Sequence, residues 1–134
     1  MASNVELLKQ AFAGLGKGNA AGFAQLMDED SELVLPDSIP YGGTYRGPEA
    51  AADFLARGIW RWFDEFTSTP TRVIDAGDQI VVPVRVQATA KNGRTMDVEN
   101  VWIYEFSDGR LRRGRVYADT AVINQTVEGM EPAP

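Results

Sequence analysis

Residues 41–55 read YGGTYRGPEAAADFL, an aromatic and glycine-rich loop that leads into a helix. Pro48 suits the first helical turn, because the N–H that proline lacks would have no intrahelical partner there. Glu49 favours the same place, since its charge complements the positive end of the helix dipole. Two helical patterns and one apolar strand precede this segment, and only strand patterns follow it. That order predicts a small α+β cone with a pocket inside.

The composition describes one acidic domain. The chain has 134 residues, 44% of them hydrophobic, which is enough for an ordinary core. Its net charge of −6 disfavours nucleic acid and anionic membranes as partners. No apolar run is long enough to span a membrane, and the first residues lack the basic and apolar regions of a signal peptide. We therefore expect a cytoplasmic protein.

The chain contains neither cysteine nor histidine. The first absence excludes disulfides, thiol nucleophiles and thiolate metal sites. The second removes the commonest general base and zinc ligand. Any proton transfer must then use Asp, Glu, Tyr, Lys or bound water, and we expect neither a metal nor an organic cofactor.

The first half of the chain carries helical patterns. Ser3 and Glu6 fit a capping box, and Asn19 can cap a second helix. The aromatic residues of the third helix are too many for an exposed helix, so this helix must cover a sheet or wall a cavity. The predicted elements are helices at 4–16, 19–27 and 48–63, a strand at 32–35 and a loop at 36–47.

The second half has the period of two that is typical of strands. Asn92-Gly93 and the segment Ser107–Arg110 are hairpin signals, so the strands form an antiparallel meander. Residues 125–134 are polar and predict a flexible tail after a single domain at 1–124. The predicted strands are 66–75, 79–90, 94–106 and 111–119.

The hairpins predict which side chains share a face. If Asn92-Gly93 is a two-residue turn, Arg85 pairs with Asn100. One face is then mixed and suits a ligand cavity, and it holds Val81, Pro83, Arg85, Gln87, Thr89, Met96, Val98, Asn100, Trp102 and Tyr104. The other face carries an apolar patch rimmed by acids, and we expect a homodimer packed through Val84, Val86, Val101 and Ile103.

The last hairpin allows two registers. Its turn fits either a type I turn with a glycine bulge or a two-residue turn. We prefer the bulge, because it places Gly114 and Val116 on the pocket face and sets Arg113 and Arg115 near carboxylates. A slip of one residue would exchange the two faces.

The element order resembles the nuclear transport factor 2-like superfamily, and within it the SnoaL-like polyketide cyclases, limonene-epoxide hydrolases and ketosteroid isomerases. The resemblance covers about residues 4–123. It implies a cone-shaped α+β barrel, with three N-terminal helices packed on a strongly curved antiparallel sheet with a mixed edge. The matching motifs are LLKQAF at 7–12, GNAAGF at 18–23, LVLP at 33–36, GGTYRGPEA at 42–50, DGRL at 108–111 and YADTA at 117–121.

The catalytic residues of ketosteroid isomerases do not carry over. That family has a tyrosine on the first helix, a base aspartate ending the first strand and a protonated aspartate on the fourth strand. The corresponding positions here hold Ala11, Leu35 and Trp102.

The other two families carry over in part. The epoxide hydrolases have an Arg-x-Asp pair on a central strand and a further aspartate on the last strand. Arg85 matches that arginine, but Gln87 and Val116 stand where the aspartates would be. The cyclases have an inward acid on the last strand, where this chain has Val116 or Gly114.

Arg85 is the centre of the candidate site. With Asn100 and Gln87 beside it, it would form a polar end in an apolar cavity and bind a carboxylate or a polarised carbonyl oxygen. The alternative is a buried arginine satisfied by Asp37, Asp53 or a backbone carbonyl. Trp102 and Tyr104 lie on the same predicted face.

The remaining candidates surround this centre. Asp37 could reach the cavity from its loop as a base, although loop aspartates are more often solvated turn residues. Tyr41 and Tyr45 could cover the cavity or bind a ligand oxygen, and loop packing explains them equally well. The predicted pocket wall consists of Trp60, Phe63, Trp102 and Val116.

Two functions fit these residues. The first is a cofactor-independent isomerase, cyclase or hydrolase-like enzyme on a small, largely apolar oxygenated molecule. Arg85, Asn100 and Gln87 would stabilise an oxyanion, while Asp37 or a tyrosine moves a proton. The second is a non-catalytic ligand-binding or dimeric scaffold domain that has lost the family's catalytic acids. The ligand expected in either case is apolar or bears a carboxylate or carbonyl group.

Overall fold

The structure is a computed structural model that describes residues 3–134. A π-helical turn at Phe54–Gly58 and a 3-10 turn at Ile59–Arg61 extend the third helix. The helices are α1 (Asn4–Gly16), α2 (Ala21–Leu26), α3 (Gly47–Asp53) and α4 (Thr120–Thr126). The strands are β1 (Glu32–Leu35), β2 (Gly43–Arg46), β3 (Phe63–Pro70), β4 (Ile74–Asp75), β5 (Gln79–Ala90), β6 (Thr95–Ser107) and β7 (Arg110–Tyr117).

The start of α1 is fixed by its cap. The Ser3 hydroxyl accepts the Glu6 N–H at 3.1 Å, and the Glu6 carboxylate accepts the Ser3 N–H at 3.4 Å. These bonds satisfy two backbone N–H groups that the first turn leaves free. The predicted bounds of this helix and of β1 are confirmed.

The third helix is shorter than predicted, because its regular part ends at Asp53. It continues as the π-helical and 3-10 turns to Arg61, and Phe63 already belongs to β3. Gly58 lets the Phe54 ring lie close, since a Cβ there would meet Phe54 Cδ1 at 3.0 Å. Irregular turns of this kind occur frequently beside functional sites.

One mixed sheet forms the other layer. Its strand order is β2-β1-β7-β6-β5-β3, and β4 pairs with β5. All pairs are antiparallel except β1 with β7, which is parallel. The predicted α+β class with a mixed edge is confirmed. The loop prediction at 36–47 is wrong for its end, because residues 43–46 form β2.

The hairpin between β5 and β6 has a different loop from the predicted one. Ala90 N–H donates to the Arg94 carbonyl at 2.8 Å, so three residues form the loop instead of two. Gly93 takes the left-handed conformation (φ 88°), as in a type I turn followed by a glycine. Val84 therefore pairs with Asn100, and Arg85 pairs with Glu99.

This shift of one residue reverses the predicted face of β5 and leaves that of β6 unchanged. Val84 and Val86 point inward and are each 2% exposed, so their predicted place in an outer dimer interface is wrong. Val101 and Ile103 do lie on the outer face, where they are half-buried. The homodimer itself stays a prediction.

The hairpin between β6 and β7 combines both predicted alternatives. Asp108 and Gly109 have φ values of 53° and 73°, which is the signature of a two-residue turn. The extra residue comes later, at Arg112, because Glu105 pairs with Arg113 and Phe106 with Leu111. The preferred assignment is confirmed: Gly114 and Val116 face inward, opposite Tyr104 and Trp102.

The end of the chain is more ordered than predicted. Asp119 caps α4, a helix that the sequence patterns did not predict, by accepting the Val122 N–H at 3.2 Å. Val127 is buried in the core, and the Ala133 N–H donates to the Arg61 carbonyl at 2.9 Å. The folded part therefore extends beyond residue 125, and the flexibility of the residues after it stays a prediction. No helix within residues 3–134 is long and apolar enough to cross a membrane.

Candidate functional site

A cavity of about 440 Å³ lies between the helices and the inner face of the sheet. Its walls come from α1, α2, the segment 54–60, α4 and the strands β1, β3, β5, β6 and β7. Cavities of this size and apolar character are typical of small-molecule sites. A second depression, at the β5–β6 hairpin end, is open and polar and lacks an enclosing wall.

An aromatic cluster forms one wall of the cavity. The rings of Trp102 and Tyr104 are stacked, with centroids 5.5 Å apart and planes 12° apart. Phe12 and Phe23 pack against Tyr104 at 5.7 and 6.2 Å. Gly114 makes room for the Tyr104 ring, because a Cβ there would come within 3.0 Å of it. The stacked pair offers a flat apolar surface on which a ring could pack.

A second aromatic group joins Tyr41, between β1 and β2, and Tyr45 of β2 to Phe54, which directly follows α3. Tyr41 and Phe54 line the cavity and stack with centroids 6.2 Å apart. Tyr45 packs against Phe54 at 4.4 Å from behind, and its hydroxyl donates to the Tyr41 carbonyl at 2.7 Å. That bond and the ring contacts hold Tyr41 against the cavity.

The rim of the cavity lies between the irregular helical turns and β3. Trp60 is 41% exposed yet lines the cavity. Ala56, Ser68 and Pro70 are also both lining and exposed. We therefore place the entrance between the segment 54–61 and the edge strand β3.

Asn100 is the buried amide of the cavity wall. It lies in the middle of β6, opposite Val84, and is 9% exposed. Its Oδ1 atom is fully enclosed and has no hydrogen-bond partner among the described residues. An unpaired buried acceptor costs about 1–3 kcal/mol, which a ligand donor could recover.

The described lining residues carry no ionised group. They include no Asp, Glu, Lys or Arg, and the titratable ones are Tyr41 and Tyr104. Burial raises the pKa of both hydroxyls, and the neighbouring Tyr45 adds to the effect at Tyr41. Both phenols therefore stay protonated at neutral pH, and the cavity offers no general base. Across residues 3–134, no three acidic side chains cluster to hold a metal ion.

The structure brings six of the predicted site residues together. The lining contains Asn100, Trp102, Tyr104, Tyr41, Trp60 and Val116. Each lies on an inward position of β6 or β7, in the loop before α3, or on the irregular turns.

Arg85, the predicted centre, does not face the cavity. It lies exposed on the outer face and forms a two-pronged ion pair with Asp97, with Nε–Oδ1 at 2.9 Å and Nη2–Oδ2 at 2.6 Å. The hydrogen bond from Arg85 lowers the pKa of Asp97. The predicted placement is wrong because the β5–β6 loop is one residue longer than assumed. For the same reason Gln87 lies on the outer face of the sheet instead of the cavity face, and it is also exposed.

Three further candidates lie outside the cavity lining. Asp37 is exposed in the loop after β1, so its predicted place as a base in the cavity is wrong. Phe63 is buried in the core at the start of β3 and does not wall the cavity. Tyr45 supports Tyr41 from behind, which matches the alternative of loop packing.

The sequence contained a signal for the correct face of β5. Its alternate residues from Ile80 to Ala90 are all apolar, whereas the set from Val81 to Thr89 includes Arg85 and Gln87. An all-apolar alternate set indicates the core face of a strand. The prediction followed the Asn-Gly turn instead, and it therefore missed Val84 and Val86 as lining residues. It also missed four lining residues from helical segments, which no register argument reaches: Phe12, Phe23, Phe54 and Ile123.

Residues 8–114 match the SnoaL-like domain family. The chain belongs to this family. The match confirms the resemblance to SnoaL-like proteins and shows the fold of this SnoaL-like domain independently of its coordinates. No curated protein matches the chain.

Solved structures share the fold over almost the whole chain. A nuclear transport factor 2-like protein of unknown function from Burkholderia pseudomallei is 25% identical, with a TM-score of 0.87 over 96% of this chain and 100% of that one. TerC, co-crystallized with polyporic acid, is 26% identical, with a TM-score of 0.83 over 94% and 98%. A putative SnoaL-like polyketide cyclase from a Jannaschia species is 18% identical, with a TM-score of 0.78 over 96% and 93%.

Proposed function

We propose that this SnoaL-like domain binds one small, uncharged and largely apolar organic molecule inside the cone. The observation that carries the proposal is the aromatic cavity of about 440 Å³, which no side chain of the described residues fills. Ligand sites commonly combine such apolar walls with a few polar groups that orient the guest. Asn100 is the polar group that could orient the ligand in this cavity.

The absence of ionised side chains among the described lining residues favours ligand binding over acid–base catalysis. The enzyme hypothesis placed Arg85, Asn100 and Gln87 at an oxyanion and used Asp37 or a tyrosine to move a proton. Asn100 lines the cavity, whereas Arg85, Gln87 and Asp37 lie outside the lining. The tyrosines that remain stay protonated, because burial raises the pKa of each. A reaction that needs a proton removed near neutral pH would find no acceptor of suitable pKa among the described lining residues.

The stacked aromatic wall of the cavity supports a ring-shaped ligand. TerC, whose structure is similar over 94% of this chain, was co-crystallized with polyporic acid. The stacked Trp102 and Tyr104 rings would pack against such a ligand. We therefore propose an aromatic compound with an oxygen substituent as the ligand class.

Calorimetric titration with 2-naphthol tests the proposal. A probe of roughly a dozen non-hydrogen atoms at about 0.5 kcal/mol per atom would have a Kd on the order of tens of micromolar. Val116→Phe adds a ring to the cavity wall and should weaken binding at least about tenfold, if the probe lies where the ring would stand. The matched control is Val101→Phe, which adds the same ring on the outer face.

The two variants separate binding in the cavity from binding on the protein surface. Retained affinity in Val101→Phe together with loss in Val116→Phe would support the cavity. Equal affinity in both variants, or no heat with the unmodified protein, would refute it. Circular dichroism of both variants first establishes that each is folded.

A further inference from the structure

We propose that Asn100 selects the ligand by its hydrogen-bond donor: its Oδ1 atom accepts from an uncharged hydroxyl or N–H group of the molecule in the cavity. This inference rests on the proposed function, since it names the chemistry of the molecule that the same cavity takes. The ligand class that follows is a phenol, an alcohol or a neutral N–H compound with an apolar body.

Asn100 stands out among the buried polar residues. Ser31, Asn100 and Thr126 are the buried polar side chains of the described chain. The Ser31 hydroxyl donates to the Leu111 carbonyl at 2.7 Å, and the Thr126 hydroxyl donates to the Val122 carbonyl at 2.8 Å. Asn100 Oδ1 has no such partner. Because buried polar atoms are nearly always paired, the missing partner points to a group from outside the chain.

One other enclosed polar atom lacks a hydrogen bond, and its charge is balanced within the protein. Arg113 Nε lies 3.9 Å from the Glu32 carboxylate, so an ion pair neutralises the guanidinium. Arg113 also belongs to the outward-facing positions of β7. Of the two residues with an unpartnered atom, Asn100 is the one whose side chain lines the cavity.

None of the residues that the structure describes donates a hydrogen bond to Asn100 Oδ1. Its cross-strand partner is Val84, and the next inward residue on β6 is Trp102. Val84 has no side-chain donor, and its backbone groups belong to the β5–β6 ladder. The amide oxygen is therefore fixed on a strand inside an apolar wall, in the position of a preorganised acceptor.

The absence of charged residues in the described lining indicates that the ligand itself is uncharged. A carboxylate would bring an acceptor against an acceptor at Asn100, and the cation once expected beside it, Arg85, is paired with Asp97 on the opposite face. Burying an unpaired ion is costly, so a neutral donor fits the cavity better than an anion. This differs from the carboxylate-bearing ligand that the sequence suggested.

The test compares two probes of nearly equal shape, 2-naphthol and 2-methylnaphthalene, by calorimetric titration. The quantity measured is the Kd of the methyl compound divided by that of the naphthol. This ratio should fall at least about tenfold in Asn100→Leu, which removes the acceptor and keeps the volume apolar. The matched control is Gln87→Leu, which removes an exposed amide from the outer face of the neighbouring strand and should leave the ratio unchanged.

The outcomes distinguish the inference from the proposed function. If Asn100→Leu binds both probes with the unmodified ratio, the donor inference is overturned and cavity binding stands. If neither probe binds the unmodified protein, both are overturned. Tighter binding of 2-naphthoate than of 2-naphthol would also overturn the inference. Should Asn100→Leu fail to fold, Asn100→Val makes the same comparison with a residue suited to a strand.

Discussion

Two neighbouring positions, Asn100 and Arg85, show how strongly a single residue's role depends on the face it occupies. Asn100 lies on the cavity wall with an unpaired acceptor, whereas Arg85 lies in solvent beside Asp97. The first is an unsatisfied polar group retained in the wall of a cavity, and such groups occur where function opposes stability. The second is an exposed ion pair, which contributes little to stability.

Replacing Asn100 by leucine should stabilise the free protein. The change removes the unpaired Oδ1 and adds apolar surface, so the free energy of unfolding should rise by about 1 kcal/mol. The matched control is Asn124→Leu, which breaks the hydrogen bond from Asn124 Nδ2 to the Ser38 carbonyl. This variant should have a lower free energy of unfolding than the unmodified protein. Urea denaturation monitored by circular dichroism measures both changes. A fall in stability for Asn100→Leu as large as that for Asn124→Leu would contradict the role assigned to Oδ1.

Tyr104 should make the domain sensitive to alkali. Burial raises the pKa of its hydroxyl above the unfolded value of about 10. Above that pH the unfolded chain loses this proton and the folded chain keeps it, so stability falls by about 1.4 kcal/mol per pH unit from this tyrosine. Below about pH 9 the group has no such effect, because both states are protonated.

Urea denaturation between pH 8 and pH 11 measures this slope. The control is Tyr104→Phe, which removes the titrating group and keeps the ring. The slope of stability against pH should be shallower in the variant, and identical slopes in the two proteins would contradict the assignment.

At the scale of elements, the turn between α2 and β1 ties the helical layer to the sheet. The buried Ser31 hydroxyl accepts the Asp28 N–H at 2.9 Å and donates to the Leu111 carbonyl at 2.7 Å. Leu111 belongs to β7, so one side chain links the turn to the strand that pairs with β1. The nearby Arg112 side chain binds the Asp28 carboxylate and strengthens the same junction.

Ser31→Ala should lower the free energy of unfolding by about 1–3 kcal/mol, because it leaves the buried Leu111 carbonyl and the part-buried Asp28 N–H without this partner. Ser38→Ala is the matched control, since Ser38 is exposed and should change stability by less than about 0.5 kcal/mol. Thermal and urea denaturation provide the measurement. Equal stability of the two variants would show that water or backbone movement replaces the Ser31 bonds.

At the scale of the whole molecule, the outer sheet face carries a small apolar patch among charged side chains. Val101 and Ile103 lie at its centre, and Tyr117 beside them is 53% exposed. Arginines of β7 and acids of β6 flank this patch, so a second copy rotated by two-fold symmetry could pair opposite charges around it. We therefore propose that the domain forms a homodimer through this face, without Val84 and Val86.

Val101→Glu should convert that dimer to a monomer, because it buries an unpaired carboxylate at the centre of the interface. Light scattering measures the mass directly. Gln87→Glu is the control, since it adds the same charge on this face away from the apolar centre. A dimer mass for both variants would exclude the interface, and a monomer mass for the unmodified protein would exclude the dimer.

The sequence by itself determined most of the secondary structure and the fold family. Capping, glycine and period-two patterns act within a few residues, so they located α1, β1 and the long hairpins. They also identified Trp102, Tyr104 and Asn100 as one face of β6, because alternation along one strand is a local property. The sequence patterns did not predict β2 or α4, because short elements depend on packing more than on their own pattern.

The alternation along β5 and the Asn-Gly turn predicted opposite faces for this strand, and the tertiary structure decided which face points into the cone. A loop of three residues instead of two moves every side chain of a strand to the opposite face, and Asn-Gly is compatible with both lengths. The enclosure of the cavity was likewise settled by the packing of separate elements, because α1, the turns after α3 and α4 meet only in the folded chain. The charge-free lining and the unpaired oxygen of Asn100 follow from that assembly, and no local pattern in the sequence contains them.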